Sequence, residues 1–307
     1  MATKISSYCS VPLILFYVMV VCGCTRALAP ESVQSPPFTD WISTCIDWDE
    51  WDKPGPPFRI FGNSYYVGTC GISAILVTSN KGHILIDGGT EAGADIIAQN
   101  IQTLGFALND VKILLHSHEH FDHVAGLARL QQLSGARLLA SVEAAPVLRT
   151  GISADTDPQV GVHEAFPAAQ VHGTVREGTA VNLGTVSLNP IETPGHTPGA
   201  LSWQWESCEG DHCLSVVYAD SLSPVSNDSY RFSDHPTYLA SYRAGLGKLA
   251  SLDCSILLTT HPSLSNMRER LLKDEGLVDR EACNTFAEET SLRLNQRLSI
   301  EIQGQKP

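Results

Sequence analysis

Apolar and polar positions alternate in short blocks along most of the chain, and the block lengths set the first expectations. An apolar run over 11–22 follows a weak positive start at Lys4 and precedes a polar stretch. A run of about a dozen residues is shorter than the roughly 20 that a bilayer-spanning helix takes, so 1–29 reads as an export signal, with a buried first strand as the bland alternative. Two ends of the signal are compatible with the residues. Ala27-Leu28-Ala29 offers small side chains but is followed by Pro30, and Val21-Cys22-Gly23-Cys24 resembles a bacterial lipoprotein signal, which would make Cys24 a lipid-anchored first residue. No second apolar run approaches membrane length, so no membrane span is expected.

Residues 30–58, rich in Pro, Trp and Asp, read as an irregular arm. Apolar β-favouring runs then predict strands at 65–67, 72–77 and 83–86, with Asn80-Lys81-Gly82 as a turn. Ile96, Ile97, Ile101 and Leu104 fall on one helical face and predict a helix over 92–104. A strand at 111–115, a helix at 124–132, a strand at 136–140 and a helix from about 142 continue the alternation. After an irregular stretch over 151–172, strands are expected at 180–183, 186–191, 201–206 and 214–219. A helix over 236–249, a strand at 256–260 and a helical end follow. Two β-then-α halves without a linker predict one α/β domain over 30–307, with two sheets and helices outside them.

Composition narrows the function. A hydrophobic fraction of 43% with 17% charged residues gives a core and excludes a disordered chain. A net charge of −13 argues against binding nucleic acid, which needs clustered Lys and Arg. Of nine cysteines, Cys9, Cys22 and Cys24 fall within the signal. The other six, Cys45, Cys70, Cys208, Cys213, Cys254 and Cys283, suit disulfides in an oxidising compartment. Counting alone leaves many connectivities open. Proximity suggests Cys208 with Cys213, leaving Cys45 with Cys70 and Cys254 with Cys283. No C-x-x-C occurs among the six, so a thiolate zinc site is not expected.

The chemistry concentrates after the strand at 111–115. His116-Ser117-His118-Glu119-His120-Phe121-Asp122-His123 packs four histidines and two carboxylates into eight residues. Such density is costly unless a cation collects the side chains. His118 and His120 are two residues apart and cannot share a helix face, so they project from a strand end or loop. Imidazoles with a carboxylate suit zinc, and the set is too large for one four-coordinate ion with an open position. Either two ions, or one ion with supporting partners, would use it. His196 on the turn Thr193-Pro194-Gly195-His196-Thr197-Pro198-Gly199, and His261 at the end of the strand at 256–260, are the natural additional ligands. A neighbouring His116 could tune His118 through a hydrogen bond.

Together His118-x-His120-x-Asp122-His123, the turn with His196, and His261 resemble the metallo-β-lactamase fold superfamily over about 65–261. Tyr218-Ala219-Asp220-Ser221-Leu222-Ser223, His261-Pro262-Ser263 and Tyr66-Val67-Gly68-Thr69-Cys70-Gly71 resemble its subclass B3, with a serine where other subclasses bind metal through cysteine. The resemblance implies an αββα sandwich of two mixed β-sheets flanked by helices. It implies two Zn²⁺ ions per chain, the first on His118, His120 and His196 and the second on Asp122, His123 and His261. Asp87 would order the site, Asp122 would also orient the attacking water as the catalytic carboxylate, and Ser221 and Ser223 would meet the substrate carboxylate. The implied activity is hydrolysis of β-lactam antibiotics without a covalent acyl-enzyme, by a monomer in the periplasm or secreted. Penicillins, cephalosporins and carbapenems are the expected substrates, and resistance the expected consequence. A lactonase or thioesterase on the same fold is the rival, since those relatives bridge their metals with an aspartate near the position of Asp220. A zinc-binding module without catalysis is the remaining alternative.

Overall fold

The computed structural model describes residues 36–303. The expected signal over 1–29 and the lipidation site at Cys24 lie outside the described residues. Twelve strands and eight α-helices make up the described chain. In its first half these are α1 (Phe38–Thr44), β1 (Phe58–Phe61), β2 (Ser64–Tyr66), β3 (Ile75–Ser79), β4 (Gly82–Ile86), α2 (Gly93–Thr103), β5 (Val111–Leu115), α3 (Phe121–Val124), α4 (Leu127–Ser134), β6 (Arg137–Ala140) and α5 (Ala144–Thr150). The second half adds β7 (Val171–Thr174), β8 (Val181–Leu183), β9 (Val186–Glu192), β10 (Leu201–Glu209), β11 (His212–Ala219), α6 (Pro236–Ala250), β12 (Ile256–Thr259), α7 (Met267–Leu271) and α8 (Ala282–Ile302).

One sheet runs β1-β2-β3-β4-β5-β6-β7 and the other β12-β11-β10-β9-β8. Both are mixed: β4 pairs in parallel with β5 and antiparallel with β3, and β11 pairs in parallel with β12 and antiparallel with β10. The two sheets face each other across a core of Ile75, Val77, Ile84, Ile86 and Leu115 against Leu188, Trp203, Trp205, Val216 and Leu258. Leu76, Leu85, Leu114 and Leu138 turn to the other face of the first sheet, where Ile97, Ile101, Leu127 and Leu130 cover them. Val217, Ala219 and Leu257 similarly meet Tyr242, Leu246 and Phe286 of α6 and α8. Alternate residues of each strand thus feed two cores, which explains why β4 and β11 read as continuous apolar runs. The four layers are the αββα sandwich that the resemblance implied.

Departures from the sequence reading are local. The arm over 30–58 is not wholly irregular: Trp41, on α1, is buried against Phe58 and Tyr66. The helix expected over 124–132 is two short helices, α3 and α4, broken where Gly126 passes within van der Waals reach of Gly88 and leaves no room for a Cβ. Strand β7 begins at the end of the stretch read as irregular and runs two residues past it. The cysteines are bonded as Cys45–Cys70, Cys208–Cys213 and Cys254–Cys283, the pairing that proximity suggested.

Candidate metal centre

Parallel pairing brings the C-terminal ends of β4 and β5 to one edge of the first sheet, and β11 and β12 end together in the second. Loops at an edge keep polar backbone out of the core, so chemistry collects there. Asp87 follows β4, residues 116–123 follow β5, His196 follows β9, residues 220–223 follow β11, and His261 follows β12. Asp87, at φ 66° in a conformation that non-glycine residues seldom adopt, accepts hydrogen bonds from the Ser117 amide (2.6 Å), the Ser117 hydroxyl (2.7 Å) and the Tyr218 hydroxyl (2.7 Å). It therefore joins both sheets beneath the histidines.

The five histidines share one design. Three of them have one ring nitrogen hydrogen-bonded to a protein oxygen, in the other two a carboxylate oxygen lies near one ring nitrogen, and the remaining nitrogen of each turns toward a common space. His120 Nε2–H donates to Asp157 Oδ2 at 3.0 Å, His196 Nδ1–H to the Ser223 carbonyl at 2.9 Å, and His261 Nδ1–H to the Gly71 carbonyl at 3.2 Å. His118 Nδ1 lies 2.8 Å from Asp220 Oδ1, and His123 Nδ1 lies 3.5 Å from Asp87 Oδ2. These outer oxygens set the tautomers and leave lone pairs facing inward.

The inward atoms form two groups. Ligand nitrogens of His118, His120 and His196 lie within 4.8 Å of one another, as do ligand atoms of His118, Asp122 and His123. His120 Nδ1 and His196 Nε2 are 3.2 Å apart. With both outer nitrogens donating, two lone pairs meet there, an arrangement that a bound metal ion, or a proton on one of the two rings, relieves. Asp122 Oδ2 stands 3.1 Å from His123 Nε2 and 3.4 Å from His261 Nε2. His118 Nε2 and both ring nitrogens of His123 are buried without a hydrogen-bond partner. Unpartnered buried nitrogens and converging lone pairs fit a metal site, and the donor set of imidazoles with one carboxylate fits zinc. A further convergence, of Cys45, Asp49 and Cys70, is the disulfide.

Charge in the cluster follows from burial and neighbours. Burial pushes His196 down to about 3, with His120 adding to the fall, and holds His118 well below the usual histidine range. At His123 burial is outweighed by Asp122 and Asp87, which lift it to about 10. Asp122 stays ionised, far below the usual carboxylate range, because His123 and His261 outweigh its burial. Burial raises the Asp220 carboxyl to about 7 against the pull of the Leu222 and Ser221 amides.

All six expected ligands therefore reach one edge. Asp220 addresses the outer nitrogen of His118, and its other oxygen accepts the Leu222 amide at 3.0 Å. His116 does not reach His118: its Nε2 accepts the Ser141 amide at 3.0 Å, and burial keeps it neutral, down to about 4. Ser221 is 1% exposed and bonded to the Thr260 hydroxyl at 2.7 Å, whereas Ser223 is half-buried beside His196. Two further carboxylates support the site, Glu119 from the cluster already singled out and Asp157, which the sequence reading missed. Glu119, buried between His118 and His120, accepts the Thr197 hydroxyl (2.6 Å) and the Gly199 amide (2.8 Å), fastening the turn that carries His196. Asp157, from the irregular stretch, carried no signal in the sequence beyond being an acidic loop residue.

Trp51, Phe121 and His163 stand beside the metal edge, with Trp51 ring centroids 5.6 Å from Phe121 and 5.9 Å from His261. Among the described residues no helix is long and apolar enough to cross a membrane.

A family profile for the metallo-beta-lactamase superfamily matches residues 67–261. Among solved structures, the chain is similar to the MIM-2 metallo-beta-lactamase, at 57% identity and a TM-score of 0.82 over 85% of this chain and 97% of that one. It is similar also to MEM-A1, a subclass B3 metallo-beta-lactamase from a soil metagenome library, at 41% identity and a TM-score of 0.78 over 83% of this chain and all (100%) of that one. Among curated proteins, a hydroxyacylglutathione hydrolase of a Bradyrhizobium species is 26% identical over 161 residues, 50% of this chain. That match spans only 54% of the relative's length.

Proposed function

From the premise that the chain belongs to the metallo-beta-lactamase superfamily, we propose that it is a subclass B3 enzyme that hydrolyses the β-lactam amide of antibiotics with two zinc ions. The observation that carries the reading is the set of inward-facing donors, three of whose outer nitrogens are held by oxygen, combined with the overlay on B3 lactamases. His118 Nε2, His120 Nδ1 and His196 Nε2 would hold one ion, and Asp122 Oδ2, His123 Nε2 and His261 Nε2 the other. Bound zinc lowers the pKa of its water from 15.7 to about 7 and polarises the substrate carbonyl.

The protein's own groups do the rest. Asp122, kept ionised by its histidines, accepts a hydrogen bond from the attacking water and fixes its direction. Ser223 and Ser221 offer hydroxyls to the substrate carboxylate, Ser221 after releasing Thr260. Asp87, Asp157 and Asp220 hold the imidazoles so that little reorganisation accompanies the reaction. No serine or cysteine nucleophile is needed, so no acyl-enzyme forms. Three disulfides support a periplasmic or secreted enzyme, which we take to act as a monomer and to confer resistance.

Carbapenem turnover by the purified protein should vanish on chelation and return with zinc. Turnover that survives exhaustive chelation would overturn the proposal. Thioester hydrolysis is the second reading, favoured only by the partial likeness to hydroxyacylglutathione hydrolases. A glutathione thioester assayed beside the carbapenem decides between them.

A further inference from the structure

The stretch over 151–170, between α5 and β7, contains no helix or strand, and half of it is exposed. In its middle Asp157, Pro158 and Gln159 are buried. The burial has a purpose in the geometry. Asp157 takes the Nε2–H of His120 at 3.0 Å through Oδ2, and its Oδ1 accepts the Gln159 amide at 2.7 Å, which fixes the carboxylate's own orientation. His120 can then present only Nδ1 to the metal edge, 3.2 Å from His196 Nε2.

Asp157 is in turn anchored from the opposite side. The Asn227 amide donates to the Pro158 carbonyl at 2.8 Å and the Asn227 side-chain amide to the Val160 carbonyl at 3.0 Å. Asn227 belongs to the loop after β11, which also carries Ser221 and Ser223. Buried Arg297 on α8 holds that loop by donating to the Ser226 hydroxyl (2.6 Å) and the Tyr230 carbonyl (3.1 Å), and pairs with Glu301 at 2.7 Å. Hydrogen bonds therefore connect α8, the loop bearing the serines, the 151–170 stretch and one imidazole of the metal edge.

We propose that Asp157 is a positioning residue that joins the 151–170 loop to the metal site, setting the tautomer and ring direction of His120. The inference rests on the metal-centre reading above. A carboxylate behind a ligating imidazole is commonly worth about 10–100-fold in metal affinity.

The test is zinc titration of the full chain against a chromophoric chelator, with no substrate present, for the native protein and for Asp157→Ala, Asp157→Ser and Asp157→Asn. Alanine and serine cannot reach His120, so each should weaken one of the two bound zinc ions by about 10–100-fold. Asparagine still offers an oxygen to Nε2–H and should recover most of that loss. Asn227→Ala keeps the backbone bond to Pro158 but removes the side-chain bond to Val160, so it leaves Asp157 and His120 intact, loosens the loop, and should raise KM more than it lowers zinc affinity. Native zinc affinity in whichever of the alanine and serine variants folds overturns the proposal, as does an asparagine variant as weak as alanine. A native chain that binds zinc but turns over no lactam would sink the proposed function and leave this result standing.

Discussion

Single side chains at the metal edge have roles that differ in kind, and substitution should separate them. Asp122 is both a donor to the second zinc and the group that directs water, so Asp122→Ala should lower kcat/KM by about 10²–10⁴-fold and leave the protein with one tightly held zinc. Metal content by atomic absorption together with steady-state kinetics checks both halves. Two tightly held zinc ions in that variant would contradict the assignment. Asp220 differs, because it addresses the outer nitrogen of His118 and not the shared space. Asp220→Asn keeps an acceptor there and should cost far less activity than Asp122→Asn. A larger loss from the Asp220 substitution would favour the hydrolases that bridge their metals with an aspartate.

Elements place these side chains through a few close approaches. The turn bearing His196 is held down at Gly199, where a Cβ would come within 2.6 Å of the Ala144 amide nitrogen and 2.8 Å of Glu119 Oε2. Gly199→Ala should therefore lift the turn, weaken zinc at His196 and lower the melting temperature, measured by chelator competition and thermal denaturation. An unchanged zinc affinity would show that the turn tolerates the shift. At the other end, α8 clasps the loop after β11 through Glu301, which accepts the Phe232 amide at 3.0 Å and the Ser233 amide at 2.8 Å. Burial alone would raise Glu301, but the Ser233 amide and Arg297 outweigh it and hold the carboxyl below its ordinary 4.5. The folded chain thus binds this proton less readily than the unfolded one. Its contribution is present above about pH 4.5 and is lost as the pH falls through the lowered value. Glu301→Gln should flatten the acid limb of the stability curve measured by urea denaturation between pH 6 and pH 3, and an identical limb would remove Glu301 from the acid response.

At the scale of the whole molecule, zinc and folding are coupled, because converging lone pairs and buried unpartnered nitrogens exist only in the folded chain. Free zinc at about 100 times its Kd stabilises a one-site protein by about 2.7 kcal/mol. Chelation should therefore lower the melting temperature by several degrees, read by calorimetry with and without chelator, and an unchanged midpoint would mean that the site does not bind metal in the native state. The residues 116–123 were legible without a structure, because so many imidazoles and carboxylates in eight positions are too costly to bury without a cation. The sandwich was legible too, from apolar runs of strand length alternating with helical spacing, and so was the disulfide pairing of near neighbours. Local sequence carries those signals because density, period and proximity are local quantities. The outer oxygens were not legible. Asp157, Asp220 and the carbonyls of Gly71 and Ser223 reach the histidines from loops far away in the chain. A loop aspartate looks the same whether it faces water or an imidazole, and only the meeting of strand ends at one edge of two packed sheets decides which.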